Sequence, residues 1–450
     1  MGTRVRPAVP STAETAVARA YVRASLIGSL VVVGALCSWG AALVAQRPDA
    51  YTASRDHAAI QYSTGGVDTS VTRLNRDLEA GTTHLTFDGA NGYLRSLLSV
   101  LGLPIESQLL VFSETSAQAA LIRPANPRAL YFNDATAVGW VRGATTLEVA
   151  AQDPRQGTIF YTLDQRPISQ PRLTRRDDCL LCHLTWETLG VPGWTMISTF
   201  PMSDDKNAYA SGVTVDHRTP LDQRWGGWYV TGKAVPVRHL GNLPVFRPQR
   251  ELARPTPRPP ALTSVAGAFD TAGYLSPFSD VVALMVSGHQ THMFNLLTRL
   301  GWETRVAERD GTSAQTATAS RLQQAVRDLV DFLLFVDEAP IPNTLEGSSA
   351  FAETFASLGP TDARGRSLRQ LDLATRLLRF PCSYMVYSPA FDALPASALD
   401  AVYRRMWTIL SGQETDATYR RLTRADRTAI VEILRETKAS LPRYFQAVTR

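Results

Sequence analysis

The sequence predicts an α+β protein with an N-terminal membrane helix, a β-rich domain and a mainly α-helical C-terminal domain. Three observations support this: an uncharged apolar run at 24–45, regularly spaced short β-rich runs across 107–163, and helical patterning from residue 276 onward. Closely spaced prolines separate the last two regions. The predicted segments are a cytoplasmic leader (1–23), a membrane anchor or signal (24–45), a β-rich domain (47–245), a Pro-rich linker (246–263) and a helical domain (264–450).

The apolar run at 24–45 spans 22 residues without a charge. At a rise of about 1.5 Å per residue, a helix of this length crosses a bilayer core of roughly 30 Å. Basic residues precede it, so the positive-inside rule puts residues 1–23 in the cytoplasm and the rest of the chain outside. A cleaved signal peptide, with Gly40-Ala41-Ala42 as a weak cleavage site, and a buried helix are the alternatives. Either targeting interpretation places the bulk of the chain in the periplasm, anchored to the inner membrane or released.

The positive charge is concentrated at the N-terminus. The formal net charge is +5, and residues 1–46 contribute +3 of it through four Arg and one Glu, which leaves +2 for the other 404 residues. The folded part is therefore nearly neutral, and we expect no nucleic-acid partner. Four cysteines, at positions 37, 179, 182 and 382, do not form a disulfide framework.

Short runs rich in β-branched and aromatic residues alternate with turn formers such as Asn126-Pro127 and Asp153-Pro154. Such spacing is typical of an antiparallel sheet. The predicted strands lie at 109–112, 129–132, 138–141, 147–149, 159–163, 194–200 and 228–231.

Helical spacing of apolar residues predicts helices on both sides of these strands. Ser276 as N-cap and Pro277 at the first helical position predict the start of a long helix that reaches about residue 305. The other predicted helices lie at about 71–80, 93–101, 314–336, 367–379, 398–410 and 426–441.

The most informative pattern is Cys179-Leu180-Leu181-Cys182-His183. This CxxCH spacing is the attachment pattern of c-type haem. Two intervening residues place both thiols on one helical turn, where they can add to the two vinyl groups along one porphyrin edge, and the following His is directed at the iron. We therefore expect one covalent haem c, held by Cys179 and Cys182 with His183 as the first axial ligand, in the β-rich domain.

Three other interpretations of the pattern stay open. A thioredoxin-type redox pair would lie at a helix start in a βαβ unit and would not need the His. A zinc site needs four ligands, usually from two such clusters, and the sequence has no second CxxC. Chance occurrence is the third. The export signal favours haem, because covalent haem attachment is completed outside the bacterial cytoplasm.

The motif resembles that of c-type cytochromes generally, which implies haem c and electron transfer. More widely, residues 55–445 resemble a group of uncharacterised bacterial exported mono-haem cytochromes. The resemblance carries no assigned activity, so it transfers residue roles for the haem motif alone. The matching stretches are ALYFN at 129–133, GTIFYTLDQ at 157–165, DHRTP at 216–220, RWGGWYVTG at 224–232 and FLLFVDE at 332–338.

The second axial ligand is expected to be a His, since no Met lies between residues 203 and 284. His239, just after a predicted strand, is the preferred candidate, and His217 is the less favoured one. The alternative for each is an ordinary hydrogen-bonded loop His. Two His ligands lower the iron potential relative to Met/His ligation.

Further candidates come from the helical region. His289 and His292 share the apolar face of the long predicted helix, where two buried structural histidines are the alternative. The remaining possibilities for the second axial position are Met385 or no protein ligand at all, which leaves an open sixth position. An open position permits ligand binding or peroxide chemistry.

Further predictions concern residues outside the CxxCH motif. Arg224 and Trp225, in an aromatic and basic run, could contact the haem propionates through charge-assisted hydrogen bonds, although Trp on a strand usually lies in the core. Cys382 is predicted to be a buried thiol. Asp337-Glu338 is predicted to end a helix and face solvent.

We therefore expect a mono-haem c-type cytochrome that transfers electrons on the periplasmic side of the membrane, with redox proteins as partners and the membrane bound through residues 24–45. The alternative is a haem enzyme or sensor with an open sixth site, in which the helical domain shapes a pocket. A third hypothesis is an interaction module of a respiratory complex. About 400 exported residues for one haem exceed what a simple electron carrier needs.

Overall fold

An antiparallel sheet of six strands, joined in sequence order, organises the N-terminal half of the described chain. The structure is a computed structural model that describes residues 53–199, 212–243 and 258–445. The strands of the sheet are β1 (Leu109–Val111), β2 (Arg128–Phe132), β3 (Thr136–Trp140), β4 (Thr146–Asp153), β5 (Gly157–Asp164) and β6 (Thr174–Arg175). A separate two-stranded ribbon pairs β7 (Ile197–Thr199) with β8 (Gly212–Thr214).

Turn chemistry explains why the strands reverse where they do. Asn133 Oδ1 accepts hydrogen bonds from the backbone of Ala135 and Thr136 in the β2–β3 turn. Asp153 Oδ1 does the same for Arg155 and Gln156 in the β4–β5 turn. Short polar side chains that bond to nearby backbone N–H groups favour such turns. The antiparallel sheet predicted across 107–163 is confirmed, whereas the run at 228–231 forms isolated bridges rather than a strand.

The α-helices lie before and after the six-stranded sheet in the chain. They are α1 (Ser70–Glu79), α2 (Leu94–Leu101), α3 (Leu180–His183), α4 (Val281–Arg309), α5 (Thr316–Leu333), α6 (Phe351–Ser357), α7 (Pro389–Asp392), α8 (Ala396–Leu410) and α9 (Arg424–Thr437). The predicted helix at 367–379 is absent from the described structure. There Asp372 Oδ1 accepts from the backbone N–H of Ala374 and Thr375, and a bridge joins Leu371 to Leu378.

Helix α4 is the long helix predicted after Ser276, but it begins later, at Val281. Its N-cap is Asp280, whose Oδ1 accepts from Val282 N at 2.8 Å. Buried residues make up 23 of its 29 positions, so the helix is covered on nearly all sides, as expected of a helix inside a larger core.

Helix α4 joins the two parts of the described apolar core. Phe294 belongs to the part built with the other C-terminal helices, and Trp302 belongs to the part built on the sheet. The Trp302 ring meets the Tyr62 ring edge-on, and Thr298 Oγ1 accepts from Gln152 Nε2 on β4 at 3.2 Å. The described residues form one compact unit.

The fold class predicted from the sequence, an α+β protein with an N-terminal membrane helix, a β-rich haem-binding domain and a mainly α-helical C-terminal domain, is wrong. The described residues are 35% helix and 14% strand, with one six-stranded sheet. The helices predicted at 71–80 and 93–101 are present as α1 and α2, but α4, from the region predicted to be a separate helical domain, packs against the sheet. Local sequence patterns did not reveal that this apolar helix is shared by both regions.

The predicted leader (1–23) and membrane helix (24–45) lie outside the described residues, as do residues 246–257 of the predicted linker. Among the helices that are described, none combines the length and the apolar character needed to cross a membrane.

The loop after α5 departs from the prediction that Asp337-Glu338 ends a helix and faces solvent. Helix α5 ends at Leu333, and Phe335 and Asp337 then take left-handed backbone conformations, with φ of 54° and 61°. Asp337 faces solvent as predicted, but Glu338 is only 4% exposed, and its Oε1 accepts from Leu377 N at 2.8 Å. Burial raises the pKa of Glu338 to about 7.

The Asp280 carboxylate is expected to be a major contributor to stability. Its second oxygen accepts from the backbone of Ser348 and Ser349, so one fully buried side chain caps α4 and holds a distant loop. We expect Asp280→Ala to lower the free energy of unfolding of the full-length protein by at least about 3 kcal/mol, measured by urea denaturation. The control is Asp310→Ala at the exposed C-terminal end of the same helix, with an expected loss under about 1 kcal/mol. Equal losses in the two variants would contradict this role.

Glu338 is expected to make stability depend on pH. Its pKa in the folded state, about 7, lies above the ordinary value of 4.5, so its favourable contribution is complete at low pH and is lost as pH rises through about 7. Glu338→Gln should remove up to about 3 kcal/mol of this loss between pH 5 and pH 8, measured by urea unfolding at both values. The exposed Glu353→Gln variant serves as control and should keep the wild-type pH dependence. A pH dependence unchanged by Glu338→Gln would disprove the assignment.

Candidate functional site

The CxxCH motif lies on a single helical turn next to the sheet. Residue Arg176 donates its backbone N–H to Phe160 O on β5, and a 3₁₀ turn, Asp177–Cys179, then leads directly into α3. Cys179 is half-buried and Cys182 is exposed, and both are free thiols. Burial, with a smaller effect of Asp178, raises the pKa of the Cys179 thiol to about 11. Both sulfurs therefore lie on one turn close to the surface. Cys179 is a neutral thiol near pH 7, and Cys182 is accessible to solvent.

The His183 ring is held in a defined orientation. It packs on the Phe160 ring, with centroids 4.5 Å apart, and its Nδ1 lies 3.0 Å from Gly193 O. Because a carbonyl oxygen can only accept, Nδ1 carries the proton and Nε2 carries the lone pair. Burial lowers the pKa of His183 to about 4, so the ring is neutral near pH 7. A neutral imidazole with one nitrogen bonded to a backbone carbonyl is the usual form of a metal-ligating His.

The loop that orients His183 is itself held by α4. Asn295 on that helix donates to Trp194 O at 2.8 Å and accepts from Trp194 N at 3.3 Å. Gly193 passes so close to Asn295 Oδ1 that a side chain at this position would collide with it. Sequence reasoning did not identify Gly193 or Asn295, because their roles depend on contacts about a hundred residues apart in the chain.

Large apolar side chains are exposed around the motif. Leu181, between the two cysteines, is 85% exposed, and Trp186 is 67% exposed, whereas Leu180 is buried. Exposed apolar surface of this kind commonly marks a binding surface. The two thiols, the oriented imidazole and the uncovered apolar side chains together fit a covalently attached porphyrin.

The alternative interpretations of the motif fit the described structure less well. The cysteine pair follows an antiparallel sheet rather than a βαβ unit, and the raised pKa of Cys179 is opposite to that of a reactive thioredoxin-type thiol. Within residues 53–199, 212–243 and 258–445, no group of three or more His, Cys, Asp or Glu side chains is placed to hold a metal ion. A zinc site at the pair would need two further ligands of this kind.

His217 lies in an aromatic cluster beside α4. It is 1% exposed, and its ring lies against Phe332 and Phe335 with centroids 4.1 and 4.5 Å away. Its Nδ1 is 2.8 Å from His289 Nδ1, and His289 Nε2 is 2.7 Å from Ser383 Oγ. Burial holds the pKa of His217 well below its ordinary value. Its Nε2 has no hydrogen-bond partner among the described residues.

His292, another candidate on α4, lies in the same cluster, where it packs against Phe332 with ring centroids 4.7 Å apart. Met385, the last candidate, is buried in the core. The cluster meets α4 at His289 and His292, and the loop after the CxxCH motif meets it at Asn295, about one turn further along the helix. His183 contacts Phe160 and Gly193, whereas His217 contacts His289 and two Phe rings.

His239 is also buried, at 2% exposed, beside Trp225. The two rings meet edge-on with centroids 5.7 Å apart, and burial lowers the pKa of His239 to about 4. In the described part of the chain, neither ring nitrogen of His239 has a hydrogen-bond partner, and neither has the Trp225 indole N–H. Burying a polar group without a hydrogen bond costs free energy, and most buried polar groups are paired. His239 and Trp225 therefore differ from ordinary core residues.

Arg224 is buried and its guanidinium is directed inward. It donates to Thr219 O at 2.7 Å and to His217 O at 3.0 Å, and a third N–H contacts Met285 Sδ. Burial lowers its pKa to about 10. These contacts brace the loop that carries His217, and a propionate contact for Arg224 or Trp225 stays a prediction. Cys382 is fully buried, in line with its predicted place in the core.

Comparison with known proteins adds no assignment to this geometry: no family model, no curated protein and no solved structure matches the chain.

Proposed function

We propose that the protein is a mono-haem c-type cytochrome that transfers electrons on the periplasmic side of the membrane. The observation that carries the proposal is the hydrogen bond between His183 Nδ1 and Gly193 O, next to two free thiols on the same turn. This bond fixes the tautomer that leaves Nε2 able to ligate iron before any metal is present.

Each residue of the motif has a defined role in this proposal. Cys179 and Cys182 would hold the haem, each through a thioether bond made by adding S–H across one vinyl group, and His183 would hold its iron through Nε2. Leu181 and Trp186 provide apolar surface that the porphyrin would cover. The bound haem supplies a one-electron couple, while the protein sets its potential through the axial ligands and the burial of the group.

The proposed localisation follows from the N-terminal sequence, and the proposed partners follow from electron transfer. The apolar run at 24–45 is proposed to bind the inner membrane, with the bulk of the chain in the periplasm, where covalent haem attachment takes place. Redox proteins are the proposed partners. The nearly neutral charge of residues 47–450 does not favour nucleic acid.

One observation favours the alternative of a haem enzyme or sensor with an open sixth site. The contacts of His217 are with His289 and two Phe rings, and those of His239 are with Trp225, so neither is described beside His183. An arrangement that keeps this geometry with haem bound would leave the second axial position free for a small ligand.

Covalent attachment is tested by denaturing electrophoresis with haem staining of protein made in a haem-maturing host. We expect the wild-type chain to retain haem and the Cys179→Ser, Cys182→Ser double variant to retain none, because both C–S bonds would be missing. Cys382→Ser is the matched control, since its thiol is buried away from the motif, and should stain like the wild type. Absence of haem from the denatured wild-type chain would refute the proposal and favour a thiol-redox role.

The sixth ligand is tested by optical spectra of the oxidised and reduced protein. With His239 as ligand, we expect a low-spin spectrum that becomes high-spin in His239→Ala, and a potential lower than that of a Met/His cytochrome. The exposed His84→Ala variant is the control and should keep the low-spin spectrum. Conversion by His217→Ala alone would assign that residue instead, and a high-spin wild type would favour the enzyme or sensor.

A further inference from the structure

One face of the six-stranded sheet is only half-buried beside the CxxCH motif. Partly buried residues alternate with buried ones at the start of β2 and along most of β4. The register puts the partly buried Ala150 of β4 opposite Phe160 of β5, so both side chains point to the same face. The Phe160 ring contacts the His183 ring. The half-buried face is therefore continuous with the candidate site.

A charged pair lies on this face, with Arg128 on β2 and Glu148 on β4. Arg128 Nη2 is 2.5 Å from Glu148 Oε2, and both side chains are 21% exposed. The guanidinium crosses β3 directly over Gly139, where even an added Cβ would collide with it. Arg128 Nη1 makes no ion pair with a described residue, so a donor is left on a partly exposed side chain for a second anion.

The pair lies within electrostatic reach of the motif. Burial is the main cause of the raised pKa of Cys179, and Glu148 adds to it. Burial is also the main cause of the lowered pKa of His183, and Arg128 adds to it. In the register, Glu148 lies one strand and two residues from Phe160, which corresponds to roughly 8 Å between the two backbone positions. The pair is thus near the motif but separate from it.

We propose that Arg128 binds a propionate of the haem, while Glu148 keeps the guanidinium in place over Gly139. The inference rests on the proposed cytochrome function and names a contact for the charged groups of the haem. Haem carries its propionates on the porphyrin edge away from the vinyl groups that the cysteines would bind. A guanidinium at some distance from the motif, on the same face, can therefore pair with a carboxylate through charge-assisted hydrogen bonds.

Arg128 suits this contact better than Arg224, which was the residue predicted from the sequence. Arg224 is 2% exposed, and its guanidinium donates to the backbone oxygens of Thr219 and His217. The donors of Arg224 are thus used within its own loop, whereas Arg128 is partly exposed on the face that carries His183.

The test uses the full-length Cys179→Ser, Cys182→Ser double variant, which can bind haem only without covalent bonds. Absorption titrations at pH 7 compare haemin with haemin dimethyl ester, whose propionates are esterified and uncharged. We expect haemin to bind at least about tenfold more tightly than the ester. Adding Arg128→Gln should reduce this preference to less than about twofold, because the charge-assisted contact is lost.

Two further variants control the comparison. Arg128→Lys should keep a preference of at least about threefold, since the ammonium keeps the charge but not the forked donor geometry. Arg123→Gln, at an exposed arginine before β2, is the matched control and should keep the full preference. Circular dichroism of each variant identifies any loss of binding that comes from unfolding, and Arg128→Lys tests the contact even where Arg128→Gln does not fold.

Three results would overturn the proposal: equal affinities for haemin and its ester, a preference that persists in Arg128→Gln, or no saturable haemin binding. The first would leave Arg128 and Glu148 as a cross-strand ion pair only. Haem retention on denaturing gels of the chain with both cysteines is measured separately. Retained haem combined with any of the three results would reject the Arg128 contact alone, whereas absence of haem would reject the cytochrome function.

Discussion

The burial of helix α4 is the constraint on which the rest of the described structure depends. A helix covered on nearly all sides needs partners for most of its polar side chains, because an unpaired polar group in the interior costs free energy. Gln290 accordingly donates to Asn133 O and accepts from Tyr384, and Arg299 pairs with Glu303 one turn later on the same helix. These bonds fix the rotation and the axial position of α4, so the segments that it touches are fixed as well.

The orientation of His183 in the candidate site depends on contacts with this helix. Asn295 holds the backbone of Trp194, the adjacent Gly193 bonds to the His183 ring, and the ring rests on Phe160 of the sheet. An imidazole oriented in this way loses little conformational freedom when a metal binds, and such preorganisation favours binding. The position of the His183 ring on a short turn is thus fixed by a helix from the other half of the chain.

Sequence reasoning succeeded where local chemistry decides structure. Short β-rich runs and turn formers located β1 to β5. The Cys179–His183 spacing predicts a haem site from local chemistry alone, and that assignment stays a prediction. Sequence reasoning failed where distant contacts decide: Asp280 starts α4 because it also binds the loop at Ser348, and Glu338 is buried by the segment at Leu377. The predicted fold class failed for the same reason, since periodicity shows that a helix is apolar but not which sheet it will cover.

Under the proposed function, the exposure of Leu181 and Trp186 gives the exported chain two surface states. Before the thioether bonds form, the apolar surface is uncovered, and afterwards the haem covers it. Apolar patches promote association with other chains and with chaperones. Quality control in the periplasm could therefore separate immature from mature protein by surface adhesion alone, without any sensor for iron.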